Sequence, residues 1–227
     1  MDYHEISKIY NQVADCYDKK YLEPIHKIED TILSKILKSC ISDKTNNILD
    51  IGCGTGHVVN LGEIKKEIYH GIDISEKSIH LARKKFPDHR FYISDVTNCN
   101  LHIKSDLLLC IYGQLNYLGL NQSIIIFKKF LRNVFDSQFI AVLYSGNGHK
   151  DYDYTKKYQT IFSPSQIKSK FKNQMGLDVF LYGFSFFDVD LDIEAQYNKM
   201  KNTQLNNGDE FNCKYLLISN KEVFNEK

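Results

Sequence analysis

The sequence lacks any excess of charge. Its 29 basic and 28 acidic side chains give a formal net charge of +1. A strongly cationic surface for nucleic acid is therefore not expected. No apolar run approaches the ~18 residues a membrane-spanning helix requires, so no membrane partner is expected. The start, Met1 to Glu5, has neither a basic cluster nor an apolar stretch, which argues against a signal peptide. Six cysteines (Cys16, Cys40, Cys53, Cys99, Cys110 and Cys213) stand singly. They form no Cys-x-x-Cys pair and no Cys/His group at zinc spacing, so reduced thiols, no metal and a cytoplasmic location are expected. There is no internal repeat and no low-complexity linker.

What is present suits one sizeable core: 227 residues, 43% hydrophobic and 13% aromatic. Short apolar runs read as strands at 47–51, 68–73, 90–93, 106–112 and 139–144, with two more at 179–187 and 214–219. The run at 106–112 is apolar throughout, as central parallel strands are. Between them lie helical patterns. One is opened by Ser75 and ended near Pro87, one spans 124–131, and one has Ser163 as N-cap and Pro164 at its first position. This alternation predicts an α/β fold, a mostly parallel sheet with helices on both faces. The last two strands follow each other with no evident helix between them, which predicts a hairpin at an antiparallel edge. Residues 1–40 look helical, with Ile28, Ile32, Leu33, Ile36 and Leu37 on one stripe. The expected organisation is a helical lid or cap at 1–45, one domain at 46–220 and a tail at 221–227.

The densest chemical signal is Asp50-Ile51-Gly52-Cys53-Gly54-Thr55-Gly56, where a strand runs into glycines. Gly52 and Gly54 permit backbone angles and close approach that side chains would block. In open α/β sheets such a loop lies at the ligand-binding edge. A dinucleotide site uses G-x-G-x-x-G. Here the third glycine, Gly56, comes one residue early, and His57 occupies the required position. Asp50 ahead of the loop suits a cationic amino group better than a pyrophosphate, which points to S-adenosylmethionine. Asp73, 21 residues after Gly52 at the end of the second strand, is placed to accept bonds from both ribose hydroxyls. Asp95 follows the third strand and is placed to accept from an adenine amino group, with the Val96 N–H directed to the ring. Cys53 contributes backbone.

These stretches, ILDIGCGTG at 48–56, YHGIDIS at 69–75, FYISDVTN at 91–98 and DLLLCIYGQLNYL at 106–118, resemble the class I S-adenosylmethionine-dependent methyltransferases. With the strand order, the resemblance covers about residues 46 to 220. It implies a seven-stranded Rossmann-like sheet of order 3-2-1-4-5-7-6 with strand 7 antiparallel. In the family, the three acids hold the methionine amino group, partly through water, the ribose and the adenine. Those roles fall on Asp50, Asp73 and Asp95. The expected cofactor contacts are Tyr17, Asp50, Gly52, Cys53, Gly54, Gly56, Asp73, Ile74, Asp95, Val96 and Tyr112, and the expected product is S-adenosylhomocysteine.

For the acceptor, Tyr112 to Tyr117 lacks the Asn/Asp-Pro-Pro-Tyr/Phe signature of adenine and amide methylation. It resembles the small-molecule branch, as does the lid-like segment Tyr10 to Asp18. Tyr10, Asn116, Tyr144 and His149 are the candidate substrate contacts. His149 and Tyr144 are also the candidate general bases, with no catalytic residue firmly assigned. His57 is expected to face solvent. The aromatic and acidic stretch 151–158 and Phe184 to Phe187 are candidate pocket segments. The reading is a methyltransferase acting on O, N or C of a small molecule. The alternatives are an RNA or protein methyltransferase, or a non-catalytic cofactor-binding subunit; the oligomeric state stays open.

Overall fold

A computed structural model describes residues 3–22, 24–144, 159–184, 193–202, 205 and 215–224. His149, the stretch 151–158 and residues 185–187 lie outside them. Two helices come first, α1 (Tyr3–Tyr17) and α2 (Pro24–Cys40), joined by a 3-10 turn at Asp18–Leu22. The sheet is then built from β1 (Ile48–Ile51), β2 (Tyr69–Asp73), β3 (Arg90–Ile93), β4 (Leu107–Cys110), β5 (Gln138–Tyr144), β6 (Phe180–Phe184) and β7 (Tyr215–Ser219). Between them run α3 (His57–Gly62), α4 (Glu76–Lys85), α5 (Gln114–Phe130), α6 (Pro164–Met175) and α7 (Ile193–Asn202).

The strand order is β3-β2-β1-β4-β5-β7-β6. The first five pair in parallel, and β7 runs antiparallel to both β5 and β6. This is the topology the resemblance implies. One expectation is corrected: β6 and β7 are not a simple hairpin, because α7 lies between them. Ile193, Tyr197 and Met200 recur at helical spacing and pack on the core. Polar neighbours such as Glu194, Asn198 and Lys201 break the apolar signal along the chain.

Alternation along each strand divides the core in two. Ile48, Leu107, Leu109, Ile140 and Val142 face α2, α3, α4 and α7. Leu49, Leu108, Cys110, Phe139 and Ala141 face α5 and α6. All four residues of β1 and of β4 are buried, which explains their unbroken apolar runs. The stripe of α2 is a full part of this core, with Ile32, Leu33, Ile36 and Leu37 all inaccessible to solvent. α1 differs, since it buries only Ile6 and Ala14. The segment after β7 is packed as well: Val223 and Phe224 are buried, and the Phe224 ring meets Tyr182 and Tyr197 edge-on.

The caps read from sequence hold. Ser75 accepts from the Ser78 N–H at 3.1 Å. Ser163 forms a reciprocal capping box with Gln166, with Pro164 in the first turn. α5 begins ten residues earlier than its helical pattern suggests, and Gly119 (φ 73°) breaks it. Its first turns are buried on several faces, among them Leu115, Asn116 and Tyr117, so no single stripe stands out.

Candidate cofactor site

The glycine loop is strapped to the second strand. The N–H groups of Gly52 and Cys53 both donate to the Ile72 carbonyl, at 2.8 and 3.1 Å. Gly52 and Gly54 take left-handed φ of 70° and 52°. A Cβ on Gly52 would stand 2.2 Å from the side chain of Gln114, whereas nothing lies within 4 Å of one on Gly54. The loop therefore presents bare backbone to open space at Gly54 and is roofed by an amide at Gly52. Gly56 has a different task. It caps α3 and packs against Phe86 and Phe91, outside the cleft.

Asp73 organises this edge. One carboxylate oxygen accepts from the Gly54 N–H at 2.8 Å and the other from the Ser75 N–H at 2.7 Å. Burial pushes its pKa up, against those backbone bonds. Asp50 lies deeper, 1% exposed, and accepts from the Tyr69 hydroxyl at 2.8 Å. Burial raises it to about 7, with the charge of Asp73 adding and the Tyr69 bond opposing. Burial, together with Asp73 and Asp50, holds the Cys53 thiol well above its ordinary value, so it is a packed thiol and not a nucleophile. Asp95 accepts at one oxygen from both the N–H and the hydroxyl of Thr97, at 2.8 and 2.7 Å. That turn fixes the carboxylate at the cleft.

These groups share one cleft of about 980 Å³, counting its open mouth. Of the residues expected at the cofactor, Tyr17, Asp50, Gly52, Cys53, Gly54, Asp73, Ile74, Asp95, Val96 and Tyr112 line it. α1 forms its roof through Tyr3, Ile6, Tyr10 and Tyr17. That helix is pinned in three places. Ser7 donates to the Ile74 carbonyl at 3.1 Å, Asn11 accepts from the Ser75 hydroxyl and the Lys77 N–H, and Asp15 pairs with Lys77. The hydroxyls of Tyr10 and Tyr117 are 3.0 Å apart, and Gln159 donates to Tyr117 at 2.8 Å.

Two expected substrate contacts lie elsewhere. Asn116 is fully buried and outside the cleft lining. Its side chain donates to the carbonyls of Tyr144 and Thr160 and accepts from the Tyr144 N–H, which ties the end of β5 to residue 160. Tyr144 is buried with its ring against Gly113, also outside the lining.

Thr55, Gln114 and Tyr117 also line the cleft, beyond the cofactor and substrate contacts expected from sequence. Gln114 and Tyr117 sit inside the 106–118 stretch, where their side-chain direction was not legible. His57 is corrected: it does not simply face solvent but lines the cleft, with Nε2 2.7 Å from Asp30 of α2. The other oxygen of Asp30 accepts from the Tyr112 hydroxyl at 3.0 Å. Tyr112 itself holds a left-handed φ of 60°, uncommon for a non-glycine residue and a mark of strain at functional sites. Among the described residues, no group of side chains could hold a metal ion, and no helix is long and apolar enough to cross a membrane.

Residues 48–135 match the family described as a methyltransferase domain. The chain is similar to the ubiquinone/menaquinone biosynthesis C-methyltransferase of Campylobacter jejuni, 27% identical over 139 residues, covering 56% of this chain and 59% of that one. It is also similar to the malonyl-acyl-carrier-protein O-methyltransferase of Bacillus anthracis, 26% identical over 185 residues, 75% of this chain and 66% of that one. The match thus spans about three fifths to two thirds of these curated relatives. An S-adenosylmethionine-dependent methyltransferase from Thermotoga maritima shares the fold, with a TM-score of 0.64 at 15% identity over 93% of this chain and 97% of that one. With the strand order and the glycine loop, these likenesses show a methyltransferase domain matched at residues 48–135 and a fold shared with S-adenosylmethionine-dependent methyltransferases.

Proposed function

We propose that this chain binds S-adenosylmethionine in the cleft below α1 and transfers its methyl group to a small-molecule acceptor. The observation that carries the reading is the convergence of Asp50, Asp73 and Asp95 on one cleft, each at or just after the end of β1, β2 or β3. The order matches a zwitterionic nucleoside: a buried acid for the amino group, an acid tied to the glycine loop for the ribose hydroxyls, and an acid beside Val96 for the adenine. Bound there, S-adenosylmethionine supplies a methyl group already activated by its sulfonium. The chain's task is to orient the ligands and exclude water. Orientation of this kind contributes roughly 7–11 kcal/mol in well-aligned reactions.

The roof of α1 supports a small acceptor. Tyr10, Tyr17 and Tyr117 close over the cleft with ring centroids 6.1 and 6.3 Å apart, leaving an aromatic wall and not an open cationic face. The curated relatives are named for carbon and oxygen methylation, and their acceptors set the class to be tried first. The test is to supply labelled S-adenosylmethionine with a metabolite extract, total RNA or total protein. Label is expected in the metabolite fraction; label confined to the macromolecules would contradict the reading.

A further inference from the structure

The proposed ligand carries two opposite charges on its amino-acid end, and Asp50 answers only one of them. The α-carboxylate must enter a cleft that already holds three acids. Burying it there without a charged donor is costly. Among the described residues lining the cleft there is no lysine and no arginine; His57 supplies its basic side chain.

His57 stands at the correct end of the cleft. Asp95, Asp73 and Asp50 stand at or just after the ends of β3, β2 and β1, the order in which adenine, ribose and amino acid would lie. The next strand along that line is β4, which ends just before Tyr112. The His57 and Tyr112 rings are 6.1 Å apart, and one carboxylate, Asp30, engages both side chains, at 2.7 and 3.0 Å. An ionised carboxylate only accepts, so Nε2 of His57 carries the proton in that contact. An imidazole ring protonated on both nitrogens donates from Nδ1 as well. The contact is also shielded, with the His57 and Asp30 side chains 21% and 14% exposed, against 43% and 66% for Lys77 of α4 and Asp15 of α1. Solvent therefore screens it less than the surface pairs.

We infer that His57, oriented by Asp30, is the cationic partner of the α-carboxylate of the bound cofactor. This rests on the cofactor reading above. Asp30 is then a positioning residue, reaching in from α2 to fix both the His57 ring and Tyr112.

The test uses two nucleosides that differ at this group. S-adenosylhomocysteine has the carboxylate; decarboxylated S-adenosylhomocysteine keeps the amino group and the neutral sulfur and lacks it. Calorimetric titration of the full chain is expected to show a preference for the first. His57→Gln is expected to weaken S-adenosylhomocysteine by about 10- to 100-fold, the scale of a charge-assisted hydrogen bond. It should leave the decarboxylated ligand within about twofold, and His57→Lys should restore part of the preference. Equal loss for both ligands, or no loss for either, would overturn the inference. So would a wild-type chain with no preference, a result that needs no variant to fold. A chain that binds neither ligand overturns the cofactor reading itself, and this assignment with it.

Discussion

Tyr69 donates its hydroxyl to Asp50 at 2.8 Å, inside a core that leaves Asp50 1% exposed. The bond favours the ionised carboxylate. Burial opposes it and prevails, with the charge of Asp73 adding, so Asp50 titrates near 7 in place of 3.8. Asp50 is thus an acid held in an environment that disfavours its charge until a cation arrives.

The consequence for stability has a definite sign. A carboxyl whose folded pKa is raised favours the folded state while protonated. That contribution is complete below the unfolded value and is lost as pH rises through about 7. The shift corresponds to roughly 4 kcal/mol at most. Asp50→Asn is therefore expected to raise the melting temperature of the ligand-free protein at pH 8, with the gain vanishing near pH 4. The same substitution is expected to weaken S-adenosylhomocysteine by tenfold or more. Thermal melts at the two pH values, paired with titrations, check both; a variant less stable than wild type at pH 8 would contradict the burial argument.

The two cleft glycines differ in what surrounds them. Gly52→Ala meets Gln114 as well as a left-handed φ, whereas Gly54→Ala meets only the φ. Left-handed backbone costs an L-residue about 1–2 kcal/mol, so Gly52→Ala should be the more damaging to folding. Adding Gln114→Ala is expected to recover the difference but not the backbone cost. Denaturant unfolding of the three variants distinguishes the two contributions.

Asn116 is expected to act on stability and not on the cofactor. Asn116→Ala leaves the buried Tyr144 N–H without the amide oxygen it now donates to at 2.8 Å, and strips a bond from two carbonyls. An unsatisfied buried polar group costs about 1–3 kcal/mol. Unfolding should report that loss while S-adenosylhomocysteine affinity stays within about twofold. A large fall in affinity with unchanged stability would return Asn116 to the binding site.

The hydroxyl pair of Tyr10 and Tyr117 fastens the roof. Burial, with Tyr17 and Tyr117 close by, keeps the Tyr10 hydroxyl well above its ordinary pKa, so it stays a neutral donor or acceptor. A double-mutant cycle of Tyr10→Phe and Tyr117→Phe is expected to give a coupling of about 1 kcal/mol. Stopped-flow dissociation of S-adenosylhomocysteine should be faster in each single variant.

Much of this was legible in the chain because it depends on neighbours in sequence. The apolar runs of β1 and β4, the glycines after Asp50, and the caps at Ser75 and Ser163 each carry their reason within a few residues. The sheet order followed from resemblance, not from periodicity. What escaped depends on contacts across the fold. Asp30 is one acid on an amphipathic helix until α2 packs beside α3 and brings it to His57 and Tyr112. Asn116 looked like a substrate contact because of its place after β4, but its side chain turns inward to Tyr144. α7 escaped because its three apolar contacts are spread among charged residues.

The central claim is the cofactor, and calorimetric titration tests it most directly. S-adenosylmethionine and S-adenosylhomocysteine are expected to bind one to a chain, NAD is expected not to bind, and Asp73→Ala should weaken binding by tenfold or more. NAD binding in place of both nucleosides, or binding that Asp73→Ala leaves unchanged, would contradict the account of the cleft given by Asp50, Asp73 and Asp95.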